Sequence, residues 1–222
     1  RLEAQVKNLF CLPSLPSGTS SPDLSHSVLT LSTGCGAFAV IHPPSGCKLQ
    51  VYYYKSSEYN GSAPPIFIFH GNGRDAGGLL ESWIRIIGNR PWLVLAPLFS
   101  EEDFPGSERY ILGNISNAAT INDQSEWSIQ IPDYIFNYMR DSGLTRAQGY
   151  IAFGHSAGAQ FLHRQVALVS NSSRLAAIVA NAGWYTIPDA DETWPYGLGL
   201  DGLVLDDILP RFLSSRVILL LG

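Results

Sequence analysis

Charge is scarce in this chain. Of its 222 residues, 15 % are Asp, Glu, Lys or Arg, with 14 basic against 19 acidic and a formal net charge of −5. No basic stripe is present to follow a phosphate backbone, which argues against nucleic-acid binding. No run nears the ~18 consecutive apolar residues that would read as a membrane span. The chain opens on Arg1 rather than Met and shows no apolar core of a secretion signal. Cysteine is rare, and three cysteines leave one unpaired at best. If Cys35 and Cys47 flank a hairpin turned at residues 42–46, Cys47 lies opposite Ile41 and Cys35 sits about 20 Å along the ladder, too far for a bridge. No Cys or His pair has metal-ligand spacing and no glycine-rich phosphate loop occurs, so neither a metal nor an organic cofactor is expected.

What remains is apolar and aromatic. Hydrophobic residues make up 45 %, with 5 Trp, 10 Tyr and 10 Phe, enough for one sizeable core. Residues 1–30, rich in Pro and Ser over 11–25, read as a flexible leader, and 31–222 as one domain. Strands are expected at 36–41, 48–54, 66–69, 92–97, 150–153, 176–180 and 217–221. Helices are expected at 76–88, after the elbow at residue 156, and at 206–214. Asp123, with Glu126 three residues on, resembles a capping box opening a helix to about Arg140. The stretch 99–122 reads as a long loop. After an opening hairpin, alternating β and α segments imply a mostly parallel central sheet with helices on both faces, an α/β class.

Two motifs carry the chemistry. The run Tyr150-Ile-Ala-Phe153 leads into Gly154-His-Ser156-Ala-Gly158, followed by apolar residues at helical spacing. A strand, a sharp turn and a helix in that order hold a serine hydroxyl out as a nucleophile, between small residues that let the helix pass close to the strand. The same pattern also suits a glycine turn that merely packs a helix on a sheet. Upstream, the apolar run Pro65–Phe69 ends in His70-Gly71-Asn72-Gly73. In such a sheet, ligands gather at the carboxyl ends of the strands. Acyl transfer needs donors for the oxyanion, and the backbone amides of Ala157 and Asn72 are placed for that task. Gly71 and Gly73 would let the backbone approach a substrate, and His70 would shape the loop beside it. After the sixth strand, Gly183-Trp184-Tyr185 and Trp194-Pro-Tyr196 are expected to overhang Ser156 as a substrate wall, or else only to seal the sheet edge.

A serine also needs a base oriented by an acid. The histidines are His26, His42, His70, His155 and His163, and none comes later, where this chain order would place the base. His163, seven residues into the elbow helix, reads as a surface or packing residue. Asp189 and Asp191 are the nearest acids after the sixth strand. The expectation is of a chain that continues past Gly222 by roughly 50–80 residues, carrying the last strand, its helix and the histidine loop. Three Asn-x-Ser triplets, at Asn60, Asn114 and Asn171, lean toward an extracytoplasmic route and leave the compartment open.

Several stretches together resemble one family. They are His70-Gly-Asn-Gly-Arg74, Leu95-Ala-Pro-Leu-Phe-Ser100 with Phe104-Pro-Gly106, Tyr110-x-Leu-Gly-Asn114, Gly154-His-Ser-Ala-Gly-Ala-Gln-Phe-Leu-His-Arg164, Asn181-Ala-Gly-Trp-Tyr-Thr186 and Pro195-Tyr-Gly-Leu198. From Ile66 to Leu200 the chain is similar to the α/β-hydrolase superfamily, specifically to poly(3-hydroxybutyrate) depolymerase-like and serine-esterase-like hydrolases. The resemblance implies Ser156 as nucleophile, carboxylic esters as substrates and short hydroxyalkanoate esters or their polymers among them. The departure from the family is the missing acid and histidine. The alternatives are a peptidase or amidase using the same nucleophile, and a hydrolase-fold binding protein without activity. Oligomeric state is not encoded in any of these features. Adding divalent metal to the purified protein should leave its hydrolytic rate unchanged, and a metal-dependent rate would overturn the scheme.

Overall fold

Alternation of inward and outward side chains builds the opening hairpin. β1 (Gly34–Ile41) pairs antiparallel with β2 (Lys48–Lys55), whose Leu49, Val51 and Tyr53 are buried. The structure, a computed structural model, describes residues 28–42, 44–88, 90–117 and 120–222. Residues 1–27 of the expected leader, with Cys11 and His26, lie outside the described residues. Leu31 is already buried, and Lys55 Nζ donates to its carbonyl at 2.9 Å.

The hairpin register differs by one residue from the expected one. Ile41 faces Lys48, and His42 N–H donates to Cys47 O at 3.0 Å, so Cys47 stands opposite His42. The tighter turn, in which Gly46 N–H also donates to His42 O at 2.8 Å, sets this offset. Cys35 faces Tyr54 at the far end, and both thiols are free.

Seven strands form the main sheet in the order β1-β2-β4-β3-β7-β8-β9. After the antiparallel β1, β2 and β4 pairings, β3 (Ile66–Phe69), β4 (Leu93–Leu98), β7 (Tyr150–His155), β8 (Arg174–Ala180) and β9 (Val217–Leu220) run parallel. β3 lies in the middle with all four residues buried, as its unbroken apolar run requires. Its Ile66 and Ile68 join Val94 and Ala96 under α1 (Ala76–Ile87). Its Phe67 and Phe69 join Leu93 and Leu95 in the opposite core, under α3 (Ile131–Asp141) and α4 (Ala157–Leu168). The sheet is thus mostly parallel and covered on both faces, as the alternation of segments predicted. α5 (Leu205–Ser214) lies against α4.

The expected helix from Asp123 is replaced. The Asp123 carboxylate does cap, accepting from Ser125 N–H at 2.8 Å, but it opens only a 3-10 turn at Gln124–Glu126. Trp127 is extended, a second 3-10 turn follows at Ser128–Gln130, and α3 begins at Ile131. Pro132 explains the late start, since a proline without an N–H fits the first helical turn and not the interior. The expected loop 99–122 also holds structure: α2 (Gly106–Arg109) and the short pair β5 (Ser116–Asn117) and β6 (Thr120–Ile121).

One buried acid ties three elements together. The Asp133 carboxylate on α3 accepts from Ser173 N–H at 2.6 Å, Ser172 Oγ at 3.1 Å and Tyr150 Oη at 3.0 Å. Burial raises its pKa and these donors oppose the rise. Gln165 of α4 donates to Tyr150 Oη at 3.0 Å and to Ile129 O at 3.0 Å, which closes the network. Among the described residues no helix is long and apolar enough to cross a membrane. Replacing Tyr150 by Phe should cost about 1–3 kcal/mol, because the buried carboxylate and Gln165 each lose a partner. The measurement is the urea midpoint, with the slope of the transition unchanged.

Candidate active site

Ser156 is the single residue between β7 and α4, and it takes an unusual backbone conformation there, φ 56° and ψ −117°. Left-handed φ is costly for a side-chain-bearing residue and persists only where its surroundings impose it. Here the surroundings are explicit. A Cβ on Gly158 would meet the carbonyls of Phe69 and His70, and one on Gly154 would meet the carbonyl of Gly158. The two small residues flanking the serine therefore let α4 start directly against the end of β3. Ser156 N–H donates to Ala180 O at 3.0 Å, and its carbonyl accepts from Ala159 and Gln160 N–H at 3.0 and 3.1 Å. Ala157 is the first residue of α4, where an amide has no acceptor within the helix.

The second motif meets the first. A Cβ on Gly71 would stand 3.6 Å from Ser156 Cβ and 4.0 Å from its Oγ, so the loop after β3 runs beside the serine. The turn is closed by Arg74 N–H donating to Gly71 O at 3.1 Å, with Asn72 and Gly73 exposed at its tip. Arg74 adopts φ 56° and donates to Phe99 O at 2.6 Å and Gly106 O at 2.8 Å. It also pairs with Glu101 at 3.0 Å and lies 4.7 Å over the Tyr110 ring. The tip of the loop is thereby tied to the segment after β4.

His70 is buried and serves the loop. Phe99 N–H donates to its Nε2 at 3.1 Å, which places the proton on Nδ1, and Nδ1–H donates to Gly71 O at 2.9 Å. Tyr110 Oη donates to His70 O at 2.7 Å. Burial lowers the imidazole pKa to about 4. With both nitrogens engaged, this ring shapes the turn through Gly71.

The other described histidines are held differently, and His163 Nδ1 is buried with no hydrogen-bond partner among the described residues. His163 is buried, edge-on to Tyr185 at 5.2 Å and to Phe212 at 5.6 Å, and burial lowers its pKa to about 4. His42 Nδ1 bonds Ser45 Oγ at 2.9 Å. His155 is exposed beside Ser156. Among the described residues no hydrogen bond joins Ser156 Oγ to a histidine. Asp189 and Asp191 are exposed and bond each other, Asp191 N–H donating to Asp189 Oδ1 at 2.9 Å.

The aromatic segment does lie against the elbow helix. Trp184 packs on Tyr196 with ring centroids 4.8 Å apart and planes tilted by 43°, and lies 4.3 Å from the Arg164 guanidinium, which is also 5.8 Å from Trp194. Arg164, 1 % exposed, donates to Ile111 O at 3.0 Å and Gln160 O at 3.1 Å, and burial lowers its pKa to about 9. Sequence reading passed over Arg164, Arg74 and Tyr110. The one available signal is a cation eight residues past the serine in a helix that is otherwise without charge. A cavity of about 480 Å³ lined by His42, Tyr134, Asn137 and Asn171 includes none of the predicted site residues.

A serine with positive φ at a strand–helix junction and a glycine loop beside it lie together on an α/β sheet. Solved structures show the family. The poly(aspartic acid) hydrolase-1 of Sphingomonas sp. KT-1 is 34 % identical over 86 % of this chain and 72 % of its own, with a TM-score of 0.79. LpqC, a poly(3-hydroxybutyrate) depolymerase of Bordetella parapertussis, is 27 % identical over 86 % of this chain and 66 % of its own, with a TM-score of 0.81. A thermostable esterase shares the fold at 13 % identity and a TM-score of 0.52. No protein-family model and no curated protein sequence matches. The chain belongs to the esterase-like α/β-hydrolase family. It spans about two-thirds to three-quarters of the length of these two relatives.

The two buried imidazoles give a pH signature. An unfolded histidine takes its proton near 6.5, whereas His70 and His163 stay neutral in the fold down to about 4. Between those values the unfolded chain binds more protons, so stability must fall as pH drops through that window. Each group contributes on the order of 3 kcal/mol across it. Urea midpoints measured from pH 7 to 4 should show the decline, and His163→Phe should make it shallower.

Proposed function

We propose that the protein hydrolyses carboxylic esters through an acyl-enzyme formed on Ser156. The observation that carries this reading is the left-handed backbone of Ser156, held where Gly71 of the preceding loop runs beside its hydroxyl. Ser156 Oγ attacks the carbonyl carbon, and the amides of Ala157 and Asn72 stabilise the oxyanion. The alcohol leaves, and water then releases the acid. His70 and Gly71 hold the loop at the substrate, and Trp184 and Tyr185 flank it. The base that relays the proton lies outside the described residues.

The substrate class follows from the wall and the charge. Trp184 and Tyr196 offer apolar faces, while Glu102, Asp189, Asp191 and Glu192 are exposed on the two segments that follow β4 and β8. With a net charge of −5, the protein's field disfavours polyanions, which supports neutral acyl groups such as hydroxyalkanoate esters or polyesters. A second reading is supported by the 34 % identical hydrolase of poly(aspartic acid), a polymer joined by amide bonds. The same nucleophile serves an amidase, and paired ester and amide substrates of one acyl group separate the two.

Ser156→Ala should lower ester turnover by at least about 10³-fold. It should also abolish a single fluorophosphonate adduct seen by intact mass, with the urea midpoint nearly unchanged. Turnover that survives the substitution would end the reading.

A further inference from the structure

We propose that Arg164 is a positioning residue that fixes the aromatic segment 184–196 against the helix that starts after Ser156 and so sets which acyl chains the site accepts. The inference rests on the assignment of Ser156 as nucleophile. It starts from the direction of the side chain. Side chains on a helix lean toward its N-terminus, and Arg164 donates back to Gln160 O, the turn nearest Ser156. The same Nη1 reaches Ile111 O, in the segment whose Tyr110 holds His70. The guanidinium carbon lies 4.3 Å from the Trp184 ring centroid and 5.8 Å from that of Trp194. One buried cation thus touches the elbow helix, the segment after β4 and both tryptophans of the segment after β8.

The segment it holds is cross-linked within itself. Thr186 Oγ1 donates to Pro195 O at 2.7 Å and Ile187 N–H donates to Tyr196 O at 2.8 Å, clipping the two arms together. Trp184 packs, tilted, against Tyr196 across the same clip. Its root is tied to α4, where Gly183 approaches the Gln160 side chain and Tyr185 meets His163 edge-on. An apolar side chain of equal length could fill the space. What the guanidinium adds is a cation held by two carbonyls through Nη1 with its Cζ over the rings, a combination of fork-shaped donors and broad cation that lysine cannot reproduce. Its Nε and Nη2 find no hydrogen-bond partner among the described residues, so the rings are its main further contact. The register of Trp184 along α4 is therefore set at Arg164.

The test uses the natively expressed protein and p-nitrophenyl acetate, butyrate and octanoate, with kcat and KM read separately and the rate of fluorophosphonate labelling of Ser156 as a control. Arg164→Met should raise KM for octanoate about tenfold while acetate kcat and the labelling rate stay within about threefold. Arg164→Lys should behave like Arg164→Met, because charge without the fork-shaped donors and broad cation is insufficient. Trp184→Phe should shift the profile in the same direction, and the double variant should add little to either change. A parallel fall for all three esters, or additive effects, would overturn the role. If the Arg164 variants fail to fold by circular dichroism, Trp184→Phe decides alone, and an unmoved acyl profile there overturns it. Absence of any Ser156 adduct in the unsubstituted protein would overturn the hydrolase reading along with this one. An adduct with an unmoved profile would remove the Arg164 role only.

Discussion

Everything around the candidate site depends on how closely the first turn of α4 approaches the end of β3. Gly158 lies against the carbonyls of Phe69 and His70, where any side chain would force the helix away. That contact leaves one residue to turn the chain from strand to helix, and Ser156 absorbs the turn in its own backbone. The strain is local, and the two parallel cores on either side of β3 hold it in place. The same approach brings Gly71 beside Ser156 without any contact specific to either side chain. Two glycines and a central apolar strand thus define the site before any catalytic group is considered.

The loops that border the site are held differently. Neither the segment after β4 nor the one after β8 is long enough in regular structure to brace itself. Each is pinned by an arginine drawn out of water: Arg74 to Phe99 O and Gly106 O, Arg164 to Ile111 O and the tryptophans. Desolvating a guanidinium costs free energy, and only several fixed partners at once offset it. The result is irregular backbone with few alternative positions. His70 completes the arrangement as a neutral ring linking Phe99 N–H to Gly71 O, so that the two loops share one hydrogen-bonded seam.

Much of this was legible in the sequence. Strands β3, β4 and β7 announced themselves as short apolar runs, and the positions of Gly154, Ser156, Gly158 and the loop after β3 followed from motif and order. The helix read at Asp123 failed for a physical reason: the cap is real, but Trp127 is extended and Pro132 can only start a helix. The hairpin register slipped by one because a tight turn and a looser one read alike in residues 42–47. Arg164 shows in the sequence only as a cation in the helix after the serine; a helical cation is ordinarily solvated, and the fold alone shows that this one is buried against rings. His163, read as a surface or packing residue, proves to be in the core by the same enclosure.

Asn114 carries a further meaning. Its sequon is one of three, yet its side chain is buried, with Nδ2 donating to Glu126 O at 2.8 Å and a left-handed backbone at φ 54°. A glycan added there during synthesis would have to be accommodated where the folded chain has no room, so in a secretory cell this asparagine would set a race between the transferase and the folding polypeptide. Asn60 and Asn171, both exposed, impose no such competition.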